Sequence, residues 1–213
     1  MWTRSPARSG RCVADLVLAP LGRADLDAVA AVHARAFADS AITAFGSEAV
    51  RRYYLWLLEG PHDAALVGAW LDSRLVGFCA AGHFRGALNG FLRANRRYLA
   101  LRIATHPWLL ASPLIRDRLV RALAVTVRFS RLRKPAAAPA QPSFGVLAIA
   151  TDPSVRGLGA GRALMLDAEA RARARKLSRI VLTVHPDNAR AIAFYEQLGW
   201  EHLSEPGAME KRL

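Results

Sequence analysis

AIATDPSVRGLGAGR, residues 148–162, carries an apolar strand into a glycine-rich turn that opens a helix. The turn leaves the first N–H groups of the helix without intrahelical partners, and an anion fits there. Glycines let a ligand approach the backbone, and first helical turns ordinarily favour Asp or Glu. From Pro153 to Leu166 there is no acid, and Arg156 and Arg162 stand there instead. A phosphate whose own charge replaces the missing carboxylates suits this pattern. The dinucleotide fingerprint fails, because it needs glycine where Arg162 or Leu164 stands and a glycine directly after the strand. The P-loop fails for want of Gly-Lys-Ser/Thr. A turn whose glycines serve only chain geometry is the competing reading.

A second stretch lies downstream. NARAIAFYEQLGW, residues 188–200, begins with a good N-cap, Asn188, and ends in a glycine stop at Gly199. Asn188 and Tyr195 are two helical turns apart and share a face, from which the Tyr hydroxyl can reach a ligand lying along the preceding strands. Taken singly, Tyr195 reads as a half-buried core aromatic and Asn188 as a plain cap.

Together the two stretches resemble the GCN5-related N-acetyltransferase (GNAT) superfamily. Arg156, Gly159 and Gly161 match its R-x-x-G-x-G/A signature, and residues 188–200 match its N-x-x-A-x-x-F-Y-x-x-x-G-W segment. The resemblance is close over residues 144–213 and loose over 13–82. It implies a splayed mixed central sheet flanked by helices, acetyl-CoA as cosubstrate between the strands ending near Thr151 and Val184, and acetyl transfer to an amine. It implies pyrophosphate contacts from the backbone of Arg156, Gly157, Leu158, Gly159, Ala160 and Gly161, and pantetheine contacts from Ile149, Ala150 and Thr151. Asn188 and Tyr195 complete the cofactor-binding set, with Tyr195 the general acid that protonates the departing thiolate. The glutamate that many members place on the strand at 144–151 is missing, so the general base stays open between His83 and His185, both at expected strand ends, with Asp39 a weaker candidate.

The flanking chain reads as α/β around a mixed sheet. Strands are expected at 13–21, 64–71, 74–81, 144–151 and 179–184, with two short ones near 200–203 and 208–212; Asp72-Ser73 forms the turn of a hairpin. Helices are expected at 25–37, 47–59, 157–177 and 188–198, with a loop at 38–45.

The family pattern is interrupted before Phe144. Residues 83–135 carry 12 Lys and Arg against one acid, Asp117, and so hold +11 of the total +13. This segment reads as an inserted basic helical hairpin, helices at 90–105 and 114–132, followed by a Pro/Ala-rich linker at 134–143. Leu119, Leu123 and Val127 line one face of the second helix while Arg118, Arg121 and Arg128 fall on another. The domain expectation is a basic disordered tail at 1–11 and one acetyltransferase domain at 12–213.

At 213 residues and 53% apolar composition the chain can bury a core but not build two enzyme domains. Arginine outnumbers lysine 27 to 3, so net charge alone says little about a ligand. Cys12 and Cys79 are too few for a disulfide framework or a zinc site, and no metal is expected. No apolar run spans a bilayer, residues 1–11 lack the apolar core of a signal peptide, and a cytoplasmic setting is expected.

The leading expectation is therefore an acetyl-CoA-dependent N-acetyltransferase that acts on a primary amine of a small molecule by direct attack in a ternary complex. The acceptor's anionic character would follow from the charge of the insert. The alternative is a protein whose basic insert binds nucleic acid or an anionic membrane surface, with the acyl-CoA site secondary or lost. Nucleic-acid readout is disfavoured, because the insert has few aromatics (Phe91, Tyr98, Trp108, Phe129) and no RNA-binding signature. Peripheral membrane contact through the insert and a homodimer stay open.

Overall fold

A computed structural model describes residues 16–84, 86–111, 144–155 and 157–213. The expected tail at 1–11, the second insert helix and the linker at 134–143 lie outside the described residues.

Seven strands form one sheet in the order β1-β2-β3-β4-β5-β7-β6. They are β1 (Val17–Pro20), β2 (Asp63–Leu71), β3 (Arg74–His83), β4 (Phe144–Thr151), β5 (Arg179–Thr183), β6 (Glu201–His202) and β7 (Ala208–Arg212). The helices are α1 (Leu26–Ala36), α2 (Ala41–Ala44), α3 (Ser47–Glu59), α4 (Ala87–Ala94), α5 (Arg96–Thr105), α6 (Ala160–Ala174) and α7 (Ala189–Gln197).

β3 explains the layering. Its apolar run is buried along nearly its whole length, so both faces must be covered. Alternation divides them: Cys79 and Ala81 face a core built with Leu164, Met165 and Ala168 of α6, whereas Phe78 and Ala80 face one built with Val29 of α1 and Tyr54 of α3. The β2–β3 hairpin closes through Asp72 and Ser73, both at positive φ, as a two-residue turn requires.

All neighbouring strands are antiparallel except β4 and β5, which run parallel and pair only at Gly145↔Val181 and Val146↔Leu182. β4 then continues against β3 as far as Thr151↔Gly77, while its other edge leaves β5. The mixed, splayed sheet expected from the sequence is thus observed, and the splay opens at the C-terminal ends of the two parallel strands.

Three local expectations change. The helix expected at 90–105 is two helices, because Asn95 breaks the dihedral run (φ −107°, ψ 16°) and its side-chain amide donates to the Phe91 carbonyl at 3.1 Å. The loop at 38–45 holds the one-turn α2, whose N-cap Ser40 accepts from the Thr43 amide. The helix expected at 157–177 is shorter, since Gly157 and Gly159 before it and Lys176 after it have positive φ. The described part of the insert packs on α3: Phe91 is buried edge-on to Tyr53 at 5.3 Å, and the Trp56 indole donates to the Ala87 carbonyl.

Candidate functional site at the parting of the parallel strands

A cleft of about 420 Å³ occupies the splay. One wall is β4, with Ile149, Ala150 and Thr151; the floor is the glycine turn and the start of α6; the other wall is α7. Because β5 has left, β4 offers unpaired backbone groups beyond Val146 on this side.

Gly159 is the N-cap of α6, at φ 80° and ψ 0°, and no side chain caps the helix. Its carbonyl already takes the Ala163 amide at 2.9 Å, so the first-turn N–H groups remain for a ligand. No acid lies in this first turn, and none lines the cleft among the described residues, whereas Arg162 and Arg190 both do. A Cβ at Gly161 would meet Phe194 at 3.5 Å and Thr151 at 3.7 Å, ordinary contact distances, so helix, strand and opposite wall come together at this point. The donor set and the dipole suit a di- or polyphosphate.

Asn188 borders the cleft and caps α7, its Oδ1 accepting from the Ala191 amide at 3.1 Å. Tyr195 also borders it, buried in the core against Phe194 (5.4 Å) and Trp200 (6.1 Å). Burial pushes its phenol up to about 12, so it carries its proton at neutral pH.

The structure brings together Ile149, Ala150, Thr151, Gly157, Gly159, Ala160, Gly161, Asn188 and Tyr195. Leu158 is exposed and does not line the cleft, and Arg156 lies outside the described residues. The two histidines fall elsewhere. His83 pairs with Phe144 at the opposite end of β4, roughly 20 Å of strand from Thr151. Its ring packs on Phe144 and lies 3.6 Å from Asp63. His185 is exposed beyond β5, 3.6 Å from Asp187. Asp39 is exposed between α1 and α2.

Ala36 and Phe37, at the end of α1, also line the cleft, and no local signal in the chain announces this. Behind Phe37 lies a second unforeseen feature. His33 is buried with its Nδ1 2.9 Å from the Tyr54 hydroxyl and its Nε2 3.3 Å from Ser40, and burial lowers it to about 4. The helical period marks His33 as facing the core, but nothing local names partners seven and 21 residues away.

The acetyltransferase (GNAT) family matches residues 118–200, which contain both motif stretches. A mycothiol acetyltransferase of Acidothermus cellulolyticus is 40% identical over 62 residues, covering 29% of this chain and 19% of the relative. One of Saccharomonospora viridis is 41% identical over 70 residues, 30% of this chain and 23% of the relative. The matched stretches thus span less than a quarter of these relatives' length. The fold resembles that of the paia N-acetyltransferase of Thermoplasma acidophilum in complex with coenzyme A, with TM-score 0.58 and 15% identity over 93% of this chain and 99% of that one. It also resembles the ribosomal-protein-S18-alanine N-acetyltransferase of Escherichia coli, with TM-score 0.54 and 15% identity over 93% and 94% of the chains.

Proposed function

We propose that this chain, which matches the acetyltransferase (GNAT) family over residues 118–200, transfers the acetyl group of acetyl-CoA to a primary amine of a small molecule. The observation that carries the proposal is the cleft: an uncapped, acid-free helix start with two arginines, opening beside a strand edge released from its partner. These residues fit coenzyme A. The backbone of 156–161 would take the pyrophosphate, and the edge at Ile149, Ala150 and Thr151 would run along the pantetheine. Asn188 and Tyr195 would close the α7 side.

In the reaction the neutral amine nitrogen attacks the thioester carbonyl, the C–S bond breaks, and the amine loses a proton. Tyr195, still protonated at neutral pH, gives its phenolic proton to the leaving thiolate. His83 stands at the far end of β4, and His185, exposed past the end of β5, does not line the cleft, so the amine's proton is assigned to water or to the acceptor's own groups. Ala36 and Phe37 would form the wall that the acceptor meets.

The mycothiol acetyltransferases suggest where to begin with acceptors. Acetyl-CoA consumption against a panel of amines should include the acceptor of those enzymes, together with amino sugars, polyamines and amino acids. Turnover of at least one amine, with release of free thiol, is the expected result; acetyl-CoA binding without turnover of any amine in the panel would leave the alternative of a basic-insert binding protein in the lead.

A further inference from the structure

Asp152 stands where β4 leaves the sheet, and its side chain is 1% exposed. Its Oδ2 is held by Arg35 Nε at 3.0 Å and Arg74 Nη2 at 2.6 Å. Its Oδ1 accepts from the Ser154 amide at 3.0 Å and the Ser154 hydroxyl at 2.8 Å, and its own amide donates to the Val76 carbonyl at 2.7 Å. A buried carboxylate is tolerated only when its lone pairs are met, and here both oxygens are doubly engaged.

Asp152 does not line the cleft, but the residues beside its partners do. Ala36 and Phe37 follow Arg35 at the end of α1; Thr151 precedes Asp152; Val155 and Gly157 follow Ser154. We infer that Asp152 is a positioning residue for the donor site, a single carboxylate that holds the α1 wall and the glycine turn at a fixed separation before coenzyme A enters. This inference rests on the acetyl-CoA reading. The Ser154 amide, the Ser154 hydroxyl, Arg35 and Arg74 together overcome desolvation and hold the carboxyl down to about 2, so the clamp is charged throughout the neutral range.

The two arginines supply an internal control. Both bind the same oxygen and both are partly exposed, at 44% and 58%. Only Arg35 belongs to the last turn of α1, next to the cleft wall; Arg74 is the first residue of β3, at the hairpin turn. Loss of Arg35 should therefore reach the cleft wall, and loss of Arg74 the hairpin turn.

The test uses the full chain, coenzyme A as the probe in calorimetry, and amide hydrogen exchange in the free protein. Asp152→Asn should weaken coenzyme A binding about tenfold or more, since the turn loses its charged anchor. Arg35→Gln should speed exchange of the amides at 36–40 by about fivefold or more, and Arg74→Gln should leave it within about twofold, although both lower Tm alike. An Asp152→Asn protein that binds within twofold of the parent, or arginine variants with equal exchange at 36–40, would overturn the inference. Should Asp152→Asn not fold, the arginine contrast decides. A parent protein that does not bind coenzyme A refutes the acetyl-CoA reading instead, and the exchange contrast still tests the clamp.

Discussion

Gly159→Asp is the sharpest perturbation of the phosphate cradle. A Cβ at Gly159 meets no atom within 4 Å, so the substitution creates no clash in the free protein. Two costs follow from the structure. The first is conformational: φ is 80°, and an L-residue held in the left-handed region loses about 1 kcal/mol. The second is electrostatic, because a carboxylate near 4 Å from a bound pyrophosphate repels it by about 1 kcal/mol at the dielectric of water and about 4 kcal/mol at the effective dielectric of a protein surface. An intermediate value of about 2 kcal/mol corresponds to roughly 30-fold in Kd. Gly159→Asn separates the two, since Asn has nearly the same size, tolerates the left-handed region and carries no charge. Calorimetric titration with coenzyme A should give Asn a loss of a few-fold at most and Asp roughly a further 30-fold, with the gap narrowing as salt is raised. Equal affinities for the Asp and Asn variants would refute the placement of the phosphates at this helix start.

Tyr195→Phe removes only the hydroxyl; kcat should fall by about 10² or more while coenzyme A affinity holds, and a normal kcat would reduce Tyr195 to a packing residue. Because its phenol lies near 12, the rise of activity with pH should follow the acceptor amine and show no alkaline fall due to Tyr195 below about pH 11. His33 is lowered from 6.5 to about 4 by burial, so its contribution is complete above pH 6.5 and is lost as pH falls toward 4, an amount of about 3 kcal/mol. His33→Gln should therefore flatten the fall of Tm between those pH values, and an unchanged acid limb would contradict the buried neutral imidazole. Phe91→Ala should cost about 3 to 5 kcal/mol of stability, given 2% exposure, and leave coenzyme A affinity unaltered because no described residue of the insert lines the cleft; a large loss of affinity would show that the insert shapes the donor site.

The donor half of the cleft was legible in the chain because its chemistry is local. The glycine turn, the missing acids and the run from Asn188 to Tyr195 each lie within one turn or helix, and the periods of strand and helix put them on the right faces. The hairpin at Asp72-Ser73 was legible for the same reason. What was not legible depends on contacts between distant segments. Asp152 reads as an ordinary residue before proline, and its link to Arg74 crosses 78 positions without any spacing to announce it. Phe37 reads as the end of a helix until the fold sets it against β4. His83 and His185 both follow strands as expected, yet only the pairing shows that β3 runs antiparallel to β4 and carries His83 to the end opposite Thr151, while His185 leaves β5 at the cleft's end without lining it. The break at Asn95 escaped because asparagine is tolerated within helices, and here its own side-chain bond favours the cap.

A crystal structure with coenzyme A bound decides whether the glycine turn holds the phosphates. The pyrophosphate should lie within hydrogen-bonding reach of the backbone N–H groups of 157–161, and the pantetheine along the freed edge of β4 at 149–151. Coenzyme A bound elsewhere, with those N–H groups facing solvent, would contradict this placement.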